Sequence, residues 1–160
     1  MKKSLRASIH HLSVFTVFGI LLILGCKKGE NPITGESIYK MSASINGSQL
    51  TATNVTQSLV NKQLTLTGEF ANKQVITISI QPFDSTAASI GNYTIGATSG
   101  VKAIGAYNTG VQNAADNIAQ SGTITVSYNN SKNDIVQGAF DFTTQNNYHI
   151  TNGTYQSLNY

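Results

Sequence analysis

The chain has 160 residues, of which 40% are hydrophobic and only 11% are charged, with a formal net charge of +3. Lys2, Lys3 and Arg6 all precede residue 26, so residues 26–160 carry seven lysines, no arginine and seven acids and are formally neutral. This balance argues against a nucleic-acid-binding protein, which needs Lys and Arg to neutralise phosphates. Residues 26–160 have the length of a single domain.

Residues 1–25 have the three zones of a secretory signal peptide. A cationic start is followed by an apolar run from Leu12 to Leu24 and then by the small residue Gly25. This run of 13 residues is too short to cross a bilayer as a helix, because a spanning helix needs about 20 residues. The sequence therefore predicts cleavage after Gly25.

The only cysteine of the chain, Cys26, directly follows the predicted cleavage site. The segment Ile23-Leu24-Gly25-Cys26 resembles the lipobox of bacterial lipoproteins, with an aliphatic residue at −3, a small residue at −1 and cysteine at +1. In that class the thiol receives a diacylglycerol, and the new amino group is usually acylated with a fatty acid such as palmitate. The resemblance implies lipidation at Cys26, and two or more acyl chains hold a protein stably at a membrane.

Residues 26–38 are interpreted as the lipidated cysteine and a flexible tether. Gly29, Pro32 and Gly35 interrupt this segment, and it has no hydrophobic periodicity. Twelve flexible residues would span roughly 20 Å.

From residue 39 onwards, short alternating stretches are separated by turn residues. Asn46-Gly47, between KMSASI and SQLTATNV, predicts a hairpin with a type I′ turn. Alternation predicts the following residues on the inner faces of four later strands: Leu64, Leu66 and Phe70; Ile76, Ile78 and Ile80; Ile124, Val126 and Tyr128; Val136, Phe140 and Phe142.

At three positions, the sequence pattern either marks the end of a strand or allows two different local structures. Pro82 is predicted to end the strand QVITISIQ. Residues 110–120 have apolar residues at helical spacing between glycines, which indicates either a short helix or an irregular loop. The final stretch is either one bent strand or a second hairpin at Asn152-Gly153.

These patterns predict an all-β domain of about eight to ten short strands, folded as an antiparallel β-sandwich or a half-open barrel. The polar composition fits, because residues 26–160 contain 17 Thr and 16 Asn, which favour strands and tight turns respectively. The predicted organisation is a signal peptide at 1–25, the lipidated cysteine and tether at 26–38, and a single all-β domain at 39–160.

The stretches KMSASINGSQLTA, GNYTIG, SGTITVSY, QGAFDFT and ITNGTYQSLNY resemble a family of small, uncharacterised Bacteroidota lipoproteins. The similarity covers most of residues 39–160 and implies a lipid-anchored all-β domain with no assigned activity. The family often has Trp after the first Asn-Gly hairpin, where this chain has Leu50 and no Trp.

The segment after Cys26 bears on which side of the membrane the domain faces. In Bacteroidota, acidic residues directly after the lipidated cysteine favour export to the outer surface. Lys27 and Lys28 occupy those positions here. The expected location is therefore the outer membrane with the domain facing the periplasm, and surface exposure stays open.

The sequence predicts no enzyme. His149 is the only histidine after residue 26 and is expected on a solvent-facing strand surface, without the nucleophile and orienting acid that catalysis would need. Paired carboxylates, as in glycoside hydrolysis, are not indicated either. The acids are interpreted as solvated surface residues: Glu69, Asp84, Asp116, Asp134 and Asp141.

Metal and cofactor sites are not predicted. One histidine and no free thiol argue against zinc. Asp116-Asn117 and Asn129–Asp134 offer too few carboxylates for a calcium site. They are interpreted as turn residues, whose side chains bond to their own backbone.

The tyrosines give a weak indication that the domain binds a ligand. They either pack half-buried in strands, which is the favoured interpretation, or line a sugar-binding face. The tyrosines concerned are Tyr93, Tyr107, Tyr128, Tyr148, Tyr155 and Tyr160.

The sequence thus predicts a membrane-anchored, non-catalytic cell-envelope lipoprotein whose partner is a glycan, a lipid or another envelope protein. The alternative is a carbohydrate- or lipid-binding module at the membrane. Its site would be made either by Tyr and Asn side chains or by a barrel enclosing an apolar ligand.

Overall fold

A computed structural model describes residues 39–84, 86, 89–97, 100–112, 114–130 and 135–158. Cys26 and the predicted leader and tether lie outside the described residues. No helix in the described part of the chain is long and apolar enough to cross a membrane. Ten strands are present: β1 Lys40–Ile45, β2 Ser48–Thr51, β3 Asn54–Val60, β4 Gln63–Glu69, β5 Val75–Gln81, β6 Gly91–Ile95, β7 Lys102–Asn108, β8 Asn117–Asn130, β9 Ile135–Thr144 and β10 His149–Leu158.

The strands form one curled sheet, a half-barrel, in the order β2-β1-β10-β9-β8-β6-β7-β5-β4-β3. The strand pairs are antiparallel except for β6 with β7. The sheet turns around β8, whose 14 residues pair with β9 on one side and with both β6 and β7 on the other. The predicted all-β half-open barrel is confirmed.

The two edges of the sheet, β2 and β3, are consecutive in the chain. The N–H of Ala52 donates to the C=O of Met41 in β1 at 2.8 Å, whereas the N–H of Thr53 donates to the C=O of Glu69 in β4 at 2.7 Å. The predicted strand SQLTATNV is therefore divided at these two residues. Here the chain leaves one wall of the half-barrel and joins the other.

The inner face of the half-barrel is packed with side chains, because glycines let opposite walls approach closely. A Cβ atom on Gly68 of β4 would lie 2.5 Å from Sδ of Met41 in β1, and one on Gly105 of β7 would lie 2.9 Å from the ring of Phe142 in β9. The predicted inner residues that are buried are Leu64, Leu66, Phe70, Ile76, Ile78, Ile80, Ile124, Val126, Val136, Phe140 and Phe142.

The prediction that Tyr128 lies on the inner face is wrong, because 41% of Tyr128 is exposed. The pairing of β8 with β9 shifts register between Val126 and Tyr128. Such a bulge adds one residue to a strand, so the side chains beyond it change faces. Asn129 takes the buried position instead.

The predicted turn at Asn46-Gly47 is confirmed, with φ of 48° and 87°. Both angles lie in the left-handed region that a type I′ turn requires. β5 ends at Gln81, directly before Pro82, as predicted.

The two open alternatives are also decided. The described residues between 110 and 116 form a loop rather than a helix, and β8 begins at Asn117. β10 is one continuous strand with a register shift between Ile150 and Gly153, so the bent strand is correct and the second hairpin is not.

Candidate functional site

The residues considered for catalysis do not converge. His149 is exposed, as predicted, and its Nδ1 lies 3.3 Å from Oγ1 of Thr143 on the outer face. Within the described residues, no group of three or more His, Cys, Asp or Glu side chains could hold a metal ion. Asp134 lies outside the described residues, and the remaining acids are exposed: Glu69, Asp84, Asp116 and Asp141.

The tyrosines do not form one exposed face. Tyr107 and Tyr155 are buried, and the Tyr107 ring meets that of Tyr148 edge-on at a centroid distance of 4.9 Å. Tyr93 is half-buried, and Tyr128 is exposed. Among the tyrosines that the structure describes, packing is therefore the predominant role, as favoured from the sequence. Tyr160 lies outside the described residues.

Tyr155 has a structural role in the core. Its hydroxyl donates to the C=O of Thr125 in β8 at 3.0 Å, and its ring stacks on Phe140 at a centroid distance of 6.5 Å. Burial raises the pKa of the Tyr155 phenol far above its usual value, and the nearby Tyr93 raises it further. The phenol therefore stays neutral and acts as a fixed donor.

A surface cleft of about 460 Å³ lies where β5 ends and β6 begins. It combines both kinds of side chain that a small polar ligand needs, apolar walls and a few polar groups. Ile90 is 46% exposed there. The side chains that line it include Lys62, Asp84, Ile90, Asn92, Tyr93 and Val101.

Short hydrogen bonds fix the wall of this cleft. The N–H of Phe83, whose side chain is buried, donates to the C=O of Lys62 at 2.7 Å. The N–H of Asp84 donates to Oγ of Ser89 at 2.8 Å, and the Ser89 hydroxyl donates to the C=O of Asp84. The Tyr93 hydroxyl donates to the C=O of Ser89. Hydrogen bonds within the protein thus hold the wall of the cleft in place.

Asn129 also supports the cleft, a role that its sequence context does not indicate. Its Nδ2 donates to the C=O of Asp84 at 3.0 Å and to the C=O of Thr86 at 2.7 Å. From the sequence, Asn129 is interpreted as a turn residue. The bulge that turns Tyr128 outwards is what turns Asn129 towards the loop after β5.

The half-barrel has two ends. At the Lys62 end, β3 and β5 end, and β6 and β7 begin. At the Asn46 end lie the β1–β2 turn, the 3-10 turn Ala71–Lys73 and the loop after β7. A second cleft, of about 430 Å³, lies at the Asn46 end and is lined by Thr53, Glu69, Phe70, Lys73 and Val75.

Charge is distributed unevenly between these two ends. Lys62 and Lys102 lie at the Lys62 end, since Gln81 pairs with Lys102 and the N–H of Phe83 donates to the C=O of Lys62, and Asp84 is the acid described there. At the Asn46 end, Lys73 is accompanied by the exposed acids Glu69 and Asp116.

No family model, curated protein or solved structure matches this chain. Inferences about its function therefore rest on the chemistry of its own residues.

Proposed function

We propose that this protein is a cell-envelope lipoprotein, anchored through an acylated Cys26, whose non-catalytic β-domain binds its partner at the surface. The anchor is supported by the signal-peptide pattern and by the position of the only cysteine directly after the cleavage site. The expected location is the outer membrane, facing the periplasm. Lys27 and Lys28 support this orientation, since no acidic run follows the cysteine.

The packed interior is the observation that supports binding of the partner at the outer surface rather than inside the half-barrel. Gly68 meets Met41, and Gly105 meets Phe142, so the two walls touch across the half-barrel. A ligand enclosed between them would have to displace buried side chains at a cost of several kcal/mol. Recognition at the outer surface requires no such displacement.

A non-catalytic role is supported by the spacing of the described titratable groups. The described acids are exposed and lie in different strands and loops, and His149 lies on the outer face beside Thr143, a neutral residue. General acid–base chemistry needs an acid and a base within hydrogen-bond reach of one reacting group.

The anchor is tested with Cys26→Ala, compared with the parent chain and with Ser37→Ala as a control in the same segment. We expect the parent and the control to incorporate labelled palmitate and to fractionate with membranes. Cys26→Ala should do neither, because it lacks the thiol that receives the diacylglycerol. An unlabelled parent in the soluble fraction would overturn the proposal.

A second candidate function is carbohydrate binding at the cleft beside β6. The cleft places the half-buried Tyr93 ring and the exposed Ile90 next to the polar side chains of Asn92, Asp84 and Lys62. Apolar surface suits the C–H face of a sugar, and the polar groups suit its hydroxyls. The lipid version of this candidate has no comparable support, because the interior is filled.

A glycan array tests the second candidate. We expect Asn92→Ala to abolish binding, since it removes an amide from the cleft. Thr94→Ala changes an exposed residue of the same strand that does not line the cleft, and it should leave binding intact. Flat signals for the parent chain across a broad array would exclude the sugar candidate while leaving the anchor proposal intact.

A further inference from the structure

We propose that the cleft beside β6 binds an acidic saccharide, whose anionic group is met by the ammonium group of Lys62. This inference rests on the second candidate function, carbohydrate binding at the same cleft, and names the class of sugar. It does not depend on the anchor at Cys26.

The hydrogen-bonding groups that the cleft leaves free are mainly donors. Lys62 is exposed, and its ammonium group has no hydrogen-bond or ion-pair partner among the described residues. Asn92 accepts the hydroxyl of Thr125 with its Oδ1 at 2.8 Å, which leaves its Nδ2 to donate to a ligand. Since an ammonium and an amide NH2 group only donate, these two side chains favour a ligand that presents acceptors.

The acid that lines the cleft already has a role within the fold. Asp84 accepts the N–H of Thr86 with its Oδ1 at 3.2 Å, and its C=O accepts Nδ2 of Asn129 at 3.0 Å. Its N–H donates to Oγ of Ser89 at 2.8 Å. These contacts explain Asp84 as a residue that holds the loop after β5, whereas no contact within the described part of the chain uses the Lys62 ammonium group.

The formal charge around the cleft also favours an anion. Lys102 is exposed, pairs with Gln81 and directly follows Val101, which lines the cleft. Two lysines against Asp84 leave this region formally positive. The undescribed residues 85, 87, 88, 98 and 99 are uncharged and do not alter this balance. An anionic group is attracted to such a region by the Coulomb interaction.

Apolar surface beside these groups favours a sugar over a simple inorganic anion. Ile90 is 46% exposed in the cleft, and the half-buried Tyr93 ring is fixed by the hydrogen bond from its hydroxyl to the C=O of Ser89. The C–H face of a sugar ring can pack on this surface, whereas a simple anion gains nothing from it. The ligand that uses both surfaces is therefore a sugar that carries an anionic group.

Three sugars test this inference. Oligogalacturonate carries carboxylates, and its methyl ester has the same skeleton without the charge. A sulfated galacto-oligosaccharide distinguishes sulfate from carboxylate as the source of the charge. The protein is residues 26–160 with Cys26→Ser, which contains every strand of the sheet, and isothermal titration calorimetry measures the dissociation constants at low and high salt.

We expect an acidic sugar to bind about fivefold more tightly than the methyl ester at low salt, as one exposed ion pair allows. The difference should shrink at high salt because salt screens exposed charges. Lys62→Gln should remove the preference for the acid and leave binding of the methyl ester unchanged. Lys73→Gln is the matched control, because Lys73 is also exposed, also follows Asn and also has positive φ, but lies at the Asn46 end.

Asp84→Asn provides a variant that should gain affinity. The amide oxygen can still accept the N–H of Thr86, while loss of the like charge should strengthen binding of the acidic sugar by up to about fivefold. A rise of this kind distinguishes a charge effect from a folding defect, because a folding defect does not strengthen binding.

Equal affinity of the parent for the methyl ester and both acidic sugars would overturn the inference and leave the carbohydrate candidate intact. Absence of binding to any sugar would overturn both. An equal loss in Lys62→Gln and Lys73→Gln would also contradict the inference, since the preference would then not come from the cleft beside β6.

Discussion

The turns Asn61-Lys62 and Asn72-Lys73 place the same dipeptide at opposite ends of β4. Their φ angles are nearly the same, 50° and 60° in the first and 61° and 62° in the second. Each lysine lines a cleft, of about 460 Å³ for Lys62 and about 430 Å³ for Lys73. Local sequence and local conformation therefore do not distinguish these two turns.

Their surroundings do distinguish them. Lys62 shares its end of the half-barrel with Lys102, whereas Lys73 lies among acids such as Glu69 and Asp116. Two chemically equal turns thus acquire different electrostatic environments from the strand order alone. The comparison teaches that charge patterns on an all-β domain are properties of its topology rather than of its composition, which is neutral over residues 26–160.

The largest loss of stability should come from Gly110→Ala, because Gly110 contacts the Asn72-Lys73 turn and not the Asn61-Lys62 turn. Gly110 has φ of +78°, and a Cβ there would overlap the C=O oxygen of Asn72 and the backbone of Lys73. We expect the free energy of unfolding, measured in urea, to fall by about 3 kcal/mol, from left-handed strain together with steric overlap.

The control for this change is Gly47→Ala, with φ of +87° and no atom within 4 Å of the added Cβ. It should cost only about 1 kcal/mol, because strain acts there without overlap. Equal losses in the two variants would contradict the close contact between the loop after β7 and the Asn72-Lys73 turn.

An intermediate loss of stability is expected from a substitution at Tyr155, which belongs to the buried core. Tyr155→Phe removes the hydrogen bond to the C=O of Thr125 and should lower the free energy of unfolding by about 1.5 kcal/mol at neutral pH. Tyr128→Phe, at an exposed site, should leave stability nearly unchanged.

The raised pKa of Tyr155 also predicts a pH dependence. The folded phenol stays protonated while the unfolded one ionises near its usual pKa of about 10. Stability is therefore fully present below about pH 10 and falls as the pH rises above it. Urea titrations across this range should show a shallower fall for Tyr155→Phe than for the parent, and parallel curves would contradict the assignment.

The smallest effects should come from the two turns themselves. Asn61→Ala and Asn72→Ala each place alanine at positive φ, where asparagine is tolerated better, and should each cost about 1 kcal/mol. Equal losses would show that the backbone roles match.

The core could be predicted because its signals are local. Leu64 and Leu66, like Ile76 and Ile78, alternate along regular strands and are buried. The Asn46-Gly47 turn is encoded by two residues that readily adopt positive φ. Tyr128 and Asn129 were assigned incorrectly because a single bulge reversed the alternation, and the residues around it resemble those of any other strand.

The proximity of Lys62 and Lys102 could not be predicted from the sequence. In a purely antiparallel chain, counting strands would assign each turn to one end. The parallel pairing of β6 with β7 breaks that count and moves Lys102 to the end that Lys62 occupies. The position of Asn92 could not be predicted for a related reason, since the hydroxyl that donates to its Oδ1 belongs to Thr125 of β8, 33 residues further along the chain.

The pairing of β1 with β10 has a consequence for how this chain acquires its shape. Lys40 meets Gln156, and Ile45 meets Ile150, so one of the two neighbours of β1 in the sheet comes from the far side of the domain's sequence. Such distant partners make for slow acquisition of the native state. β1 can therefore pair early with the adjacent β2, whereas its pairing with β10 must wait until residues 149–158 are available.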